Sequence, residues 1–228
     1  MKNNKCWSRF LSSIAGAFIL GIATSANAAL YSRLNGQAVY DGDLNLTWLA
    51  DANYYPVTEG GLSGAIVWSR AMTWVTGVHV GGYWGWRLPT TLVPDPSCSN
   101  YSTLGTSNGF NCTGSEMGHL FYEELGGVAG SSILSVHNEN FNLFTNIQDA
   151  YYWSGTEISS EAGNAAWAFF MGNGFQGGGG KNDNLLYAWA VHDGDIFAVP
   201  IPAAFWLFGS GLIGLLGFLR RHRNRIKN

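Results

Sequence analysis

The apolar run from Ala203 to Leu219 constrains this chain more than any other feature, because it carries no charge and is closed by Arg220, Arg221, Arg223, Arg225 and Lys227. As a helix at about 1.5 Å per residue it extends about 25 Å, marginally enough to cross a bilayer. The basic cluster holds the C-terminus on the cytoplasmic side, while Asp193 and Asp195 flank the other end, so the body that precedes the span lies outside. Ser210 and Gly214 add a small-xxx-small pair of the kind that lets two membrane helices approach closely.

The N-terminus agrees with that topology. Lys2, Lys5 and Arg9 precede an apolar run from Phe10 to Ile22, and Thr24-Ser25-Ala26-Asn27-Ala28 offers a small-x-small cleavage site. Residues 1–28 therefore read as a secretory signal peptide, and signal peptidase is expected to cut between Ala28 and Ala29. Cys6 lies ahead of the apolar run instead of at its end, so it cannot act as a lipid-acceptor cysteine and leaves with the signal.

Immediately before the C-terminal span stands Val199-Pro200-Ile201-Pro202-Ala203, followed by a Trp- and Gly-containing apolar helix and the arginine cluster. Residues 196–228 in this arrangement resemble the PEP-CTERM class of bacterial sorting signals, in particular its Val-Pro-Leu-Pro-Ala variant, with near-isosteric Ile201 at the third position. The resemblance implies an exosortase as processing partner, a membrane-embedded cysteine transpeptidase that cuts near the proline motif and passes the body to the envelope, cell surface or extracellular matrix. The plain alternative is a permanent single-span anchor. Two prolines at the outer boundary, which remove backbone N–H groups there, favour sorting.

Between these segments, residues 29–195 have the length of one domain. All fifteen acidic residues of the chain fall here, against only Arg33, Arg70, Arg87 and Lys181, so the body carries a formal charge of −11 although the whole chain stands at −3. That field repels phosphate backbones and argues against nucleic acid or an anionic membrane as partner of the body; it is compatible with divalent cations and neutral glycans. Eight of the ten tryptophans are also here, enough aromatic area for a substantial core.

After signal removal only Cys98 and Cys112 remain, on either side of a Ser/Asn/Gly/Thr-rich loop. In an oxidising compartment they are expected to pair. A zinc pair or a catalytic thiol is the competing reading, without neighbouring ligands in sequence to support it. The rest of the body reads as short strands and two helices. Gln37 to Tyr40 and Leu44 to Leu49 flank Asp41-Gly42 as a hairpin, with Leu44, Leu46 and Trp48 on one face. Val67, Ala71, Trp74, Val75 and Val78 follow helical spacing up to Gly81-Gly82. Thr113 to Glu116 offers a capping box for a second helix, with Met117, Leu120, Phe121 and Leu125 as its apolar face and Gly126-Gly127 as its stop. Tyr151 to Ser154, Ala165 to Met171, and an alternating run with Leu185, Tyr187, Trp189 and Val191 on one face follow as strands. The order predicts an α+β domain with a mainly antiparallel sheet.

Several words in this body resemble the recurring motifs of the Lcl C-terminal family: Leu46-Thr47-Trp48-Leu49, Trp86-Arg87-Leu88-Pro89, Tyr152-Trp153-Ser154-Gly155-Thr156, and Trp189-Ala190-Val191 with Asp193-Gly194. Asp51-Ala52-Asn53-Tyr54 and Ser115 to Phe121 are similar to a subset carried on exosortase-sorted proteins. The resemblance implies a C-type-lectin-like fold, with two helices and a long-looped antiparallel sheet, on a bacterial surface protein that binds glycans or matrix components. It brings no catalytic residues. Within its Trp-Arg-Leu-Pro word, Arg87 is expected to pair with a carboxylate and Pro89 to end a strand.

Motifs for chemistry are weaker. Asp41-Gly42-Asp43-Leu44-Asn45 begins like a calcium loop, but Leu46 and Ala52 occupy the positions that need Gly and Glu, which excludes an EF-hand. No cofactor is implied, although calcium held by distant loops stays open. Gly177-Gly178-Gly179-Gly180-Lys181 lacks the hydroxyl residue of a phosphate loop and reads as a flexible surface turn. Glu116, His119 and Glu123 share a stripe of the second helix; the choice there lies between metal ligands and a solvated face, and the missing two-histidine spacing favours the latter. His79, His137 and His192 stand in no recognisable arrangement with an acid or nucleophile. The expected function is thus a non-catalytic glycan- or matrix-binding module, with Trp84 and Trp86 as first candidates for stacking on sugar rings. The alternatives are a secreted enzyme on a lectin-like fold, such as a formylglycine-generating-like oxidase or a carbohydrate-active enzyme, and a purely structural biofilm component.

Overall fold

The computed structural model of the chain describes residues 30–55, 64–103, 105–159 and 163–196. The signal-peptide boundary at Ala28 and Ala29, the expected span 203–219, and the sorting residues Val199, Pro200, Ile201, Pro202, Ala203, Arg220 and Arg221 lie outside the described residues. Among the described residues no helix is long and apolar enough to cross a membrane.

The body opens with an antiparallel meander of β1 (Leu30–Arg33), β2 (Ala38–Asp41) and β3 (Leu46–Leu49). The expected hairpin forms, with a register from Ala38 opposite Leu49 to Asp41 opposite Leu46. Its loop is longer than a two-residue turn. Asp41 Oδ1 accepts the amides of Asp43 at 3.1 Å and Leu44 at 3.0 Å, and Asn45 takes the left-handed φ of 51° that closes the loop. The last strand, β9 (Val191–Asp193), pairs with β3 and completes the sheet in the order β1-β2-β3-β9. Because β3 lies inside the sheet, all four of its residues are buried, including Thr47, whose hydroxyl donates to the Gly194 carbonyl at 2.7 Å. Arg33 and Asp195 then join the two ends of the body through paired hydrogen bonds of 2.8 Å.

A second sheet contains β6 (Tyr151–Glu157), β7 (Ala165–Phe170) and β8 (Phe175–Gly180), all antiparallel. Here the glycine run departs from expectation: it is a regular strand, paired with β7 from Phe170–Phe175 to Ala165–Gly180. Its lack of side chains is a packing requirement. A Cβ on Gly179 would stand 3.1 Å from the Trp153 ring, and one on Gly178 would collide with Ile158. A small hairpin, β4 (Asn100–Tyr101) with β5 (Ser107–Asn108), lies inside the loop closed by the Cys98–Cys112 disulfide, which forms as expected.

Tryptophan dominates the core between the sheets. The Trp189 ring meets Trp48 at 5.2 Å, Phe144 at 5.3 Å and Tyr152 at 5.7 Å, in edge-on and tilted geometries. Several indole N–H groups are matched to carbonyls: Trp189 to Leu49 at 2.7 Å, Trp153 to Ile66 at 2.8 Å and Trp68 to Ser154 at 2.8 Å, while those of Trp48 and Trp167 are buried without a partner. The run from Leu185 to Val191 is not the continuous strand its alternation predicts. Only Val191 belongs to β9, Leu185 is exposed, and Ala188 and Ala190 are buried beside Trp189, because the segment threads between the sheets and is enclosed on both sides.

Helix α1 (Trp68–Thr76) buries Ala71 and Val75 and stops at Gly77, earlier than the spacing predicts. Helix α2 (Glu116–His119) continues directly into one wide π-helical turn, Leu120–Glu124, closed by an amide-to-carbonyl bond from Leu125 to Leu120 of 2.9 Å. Its apolar face is the expected one, with Met117, Leu120, Phe121 and Leu125 all buried. The capping box does not form. Ser115 occupies the N-cap but spends its hydroxyl on the Leu92 amide, and Glu116 turns away to Arg87 and the Thr90 amide. Among the described residues the fold is therefore α+β, with two α-helices and mostly antiparallel sheets.

Candidate functional site

The strongest candidate for ligand contact begins with two glycines. Gly81 and Gly82, expected to end a helix, adopt φ of 59° and 87° between bridged residues Val80 and Tyr83. Two consecutive left-handed residues make the tight type I′ geometry, which glycine enters without strain. The consequence is local: His79 and Trp84, just outside the bridge, stack with ring centroids 4.1 Å apart and planes 12° apart. Trp84 presents its other side to solvent and is 60% exposed.

His79 also lines a cleft of about 420 Å³, together with Gln37, Asp51, Tyr54 and Thr145; Trp84 stacks on His79 but does not itself line the cleft. The floor is stiff. Ala52 N–H bonds to Thr145 O at 2.9 Å and Thr145 N–H to Ala50 O at 2.8 Å, while Asp51 Oδ1 accepts from the Asn53 amide at 2.9 Å and the Asn146 side chain at 3.0 Å. Tyr54, 44% exposed, is a second aromatic wall. The volume lies within the range of ordinary small-ligand sites.

Of the two tryptophans named from sequence, only Trp84 is available. Trp86 is 2% exposed, its indole N–H bonds to the Tyr83 carbonyl at 3.1 Å and its ring abuts His192 at 5.6 Å, so it belongs to the core. The two residues fall on opposite sides of the chain because they flank Gly85, itself at a φ of 88°. Tyr54 and His79 were not singled out as site residues. The Asp51-to-Tyr54 word carried a signal for the former; nothing local marks His79, whose role depends on the turn.

A larger cleft, about 620 Å³, runs along β8 and is lined by Asn108, Asn164, Trp167, Gly178, Gly179 and Asp183 among others. Gln176 exchanges both backbone bonds with Gly109, at 2.7 and 2.9 Å, across the outer edge of β8. By the two-residue period of a strand, the backbone of Gly178 faces the same edge. The Trp167 indole N–H in this cleft is buried without a hydrogen-bond partner. It is a polar groove with little aromatic surface, and so a poorer ring-stacking site than the first.

Arg87 behaves as its motif predicts. Its guanidinium makes two bonds of 2.8 Å to Glu116 and bonds of 2.6 and 3.0 Å to Asp193, tying α2 to β9. Burial alone would pull the Arg87 pKa down, but the bonds and charges of the two carboxylates outweigh it and hold the group more firmly protonated than usual. The Arg87 hydrogen bonds, followed by a smaller attraction, lower the Asp193 pKa. Lys181 likewise pairs with Glu157 at 2.8 Å while lying 4.2 Å above the Trp68 ring. Three of the four cations of the body are therefore structural. Two histidines have defined partners: His119 Nε2 stands 3.3 Å from Glu124 Oε1, and His137 Nδ1 is 2.6 Å from the Ile133 carbonyl. No family model, no curated protein and no solved structure matches the chain.

Proposed function

We propose that residues 29–195 form a non-catalytic, C-type-lectin-like module that binds a neutral or weakly cationic glycan of the cell surface or extracellular matrix, and that the protein reaches that location by signal-peptide export followed by exosortase sorting. The observation that carries the binding reading is the cleft lined by Tyr54 and His79, with exposed Trp84 stacked on His79 beside it. Exposed aromatic faces there match the apolar faces of sugar rings, and Gln37, Asp51 and Thr145 offer polar groups for hydroxyls. The acidic body disfavours polyanionic ligands. Export and sorting are supported by the residue pattern alone: the Ala26-Asn27-Ala28 site, the Val199-to-Ala203 motif, and Arg220 with Arg221 after the span.

A glycan array and pull-downs on purified matrix polysaccharide, with the full chain and with Trp84→Ala and Tyr54→Ala variants, test the binding reading. Each substitution is expected to weaken capture about tenfold or more, with the thermal midpoint unchanged because both side chains are exposed. Full capture by both variants would move the site elsewhere; turnover of a glycan with no saturable binding would replace the module by an enzyme. For sorting, a C-terminal epitope tag should be lost from surface protein only when the exosortase is present. A tag retained equally with and without it means a permanent anchor.

A further inference from the structure

We propose that Asp41, His119 and Glu124 form a buried site for one divalent transition-metal ion of the zinc type, which pins the β2–β3 loop to the second helix. One ligand atom from each residue lies within 4.8 Å of the other two, and His119 Nε2 stands 3.3 Å from Glu124 Oε1. That last distance matches two ligands on one tetrahedral ion, which at bond lengths of about 2.0–2.1 Å sit about 3.3 Å apart. A small side-chain adjustment brings the third ligand into range.

Independent evidence comes from what the cluster lacks. Asp41 and Glu124 are both fully buried, and Asp41 Oδ2 and Glu124 Oε2 have no hydrogen-bond partner. Folding has withdrawn two carboxylate oxygens from water without a donor at hydrogen-bond geometry for either. The Trp48 indole N–H, itself unpartnered, stands near Asp41 and favours its charged form, and among the described residues nothing comparable reaches Glu124 Oε2, an arrangement that costs several kcal/mol unless a cation meets these oxygens. His119 alone does not suffice. If it is protonated, the three groups still sum to −1 and both oxygens stay bare; a dication on two carboxylates and a neutral imidazole makes the site neutral and gives each oxygen a partner.

The surroundings hold the ligands in place. Asp41 Oδ1 is occupied by the Asp43 and Leu44 amides, which leaves Oδ2 for the ion. The backbone carbonyl of Glu124 receives the side-chain amides of Asn138 and Asn140, each at 2.9 Å. The π-helical turn is what lets His119 and Glu124 act together: five residues apart on an α-helix they would point about 140° away from each other, and the wider turn returns them to one face. The His119 side chain is 16% exposed and marks the way in from solvent. One imidazole with two carboxylates suits zinc, whereas calcium takes six to eight oxygen ligands and finds too few here. The other cluster with ligand potential, Asp95 with Cys98 and Cys112, is closed to metal by the disulfide.

The full chain, stripped by a chelator and checked for retained fold by circular dichroism, is titrated with Zn²⁺ and, as a spectroscopic probe, with Co²⁺. The expected result is one ion per chain, the intense visible bands of four-coordinate Co²⁺, a thermal midpoint raised by Zn²⁺, and no competition from Ca²⁺ or Mg²⁺. Asp41→Asn, His119→Gln and Glu124→Gln should each weaken Zn²⁺ binding by at least about 100-fold, while His137→Gln leaves it unchanged. X-ray absorption of the zinc-loaded wild-type chain decides the matter even if a variant fails to fold: one imidazole among oxygen ligands is expected. Absence of stoichiometric binding, two or more imidazoles, or equal affinity in the three variants, meaning an adventitious ion only, would overturn the site.

Discussion

Two charge clusters meet the same short helix, and they solve the problem of buried charge differently. At its first residue, Glu116 faces Arg87, whose planar fork satisfies both carboxylate oxygens and reaches Asp193 as well. At its far end, Glu124 faces Asp41 and His119, and two oxygens are left bare. The first cluster is complete with protein atoms alone; the second is balanced for an additional cation. Burial raises the pKa of both Asp41 and Glu124, and the bond to Glu124 raises that of His119, whereas the bonds from Arg87 lower that of Asp193. Charge count alone does not separate them. Donor count does.

The harshest way to break the comparison is to move the helix that both clusters share. Gly118 lies against the backbone carbonyl of Cys112, and a Cβ there would overlap it, so Gly118→Ala should destabilise the fold by about 3–5 kcal/mol in chemical denaturation and disturb both clusters at once. Next, Arg87→Met leaves Glu116, only 15% exposed, with the Thr90 amide as its remaining partner, and should cost about 2–3 kcal/mol.

The opposite sign is expected in the other cluster. In the metal-free chain, Asp41→Asn keeps the acceptor for the loop amides, removes a buried charge and supplies a donor, so at neutral pH it should stabilise by about 1 kcal/mol while abolishing the response to zinc. Because the folded Asp41 pKa is raised, ionisation opposes folding above it; the gain should vanish in acid, where Asp41 is protonated in both states. A destabilising Asp41→Asn would remove the contrast between the clusters. The smallest effect belongs to Asp193, whose side chain is 77% exposed. Its lowered pKa means a contribution present above the ordinary aspartate range and lost as pH falls through the folded value, worth a few tenths of a kcal/mol after solvent screening. Comparing Asp193→Asn with wild type across that range measures it.

Much of the fold was legible because it follows from near neighbours. The hairpin around Asp41-Gly42, the apolar face of the second helix and the Cys98–Cys112 pair all rest on local pattern or on elimination among few residues. The misreadings have other causes. Gly81-Gly82 has the composition of a helix stop but serves as a tight turn between bridged Val80 and Tyr83, because the helix has already ended at Gly77; Gly177 to Gly180 has that of a loop and forms a strand, because its deciding partner, β7, is another segment. The candidate cleft was half visible. Exposed Trp84 could be named, but Trp86 differs from it only in the direction the chain takes at Gly85, and His79 gains its place only through the turn.

Local chemistry in the sequence by itself determined the acidity of residues 29–195, the partnership of Cys98 with Cys112, and the need of Arg87 for carboxylates. Only the tertiary structure decided which carboxylates those are, which glycines are packing surfaces, and that Asp41 from a strand end meets His119 and Glu124 from a π-helical turn. The reason is physical: composition and period report the free energy of a segment against water, whereas burial of a charge, or closeness of a ring to a bare glycine backbone, is a property of two segments that come into contact only when the chain folds.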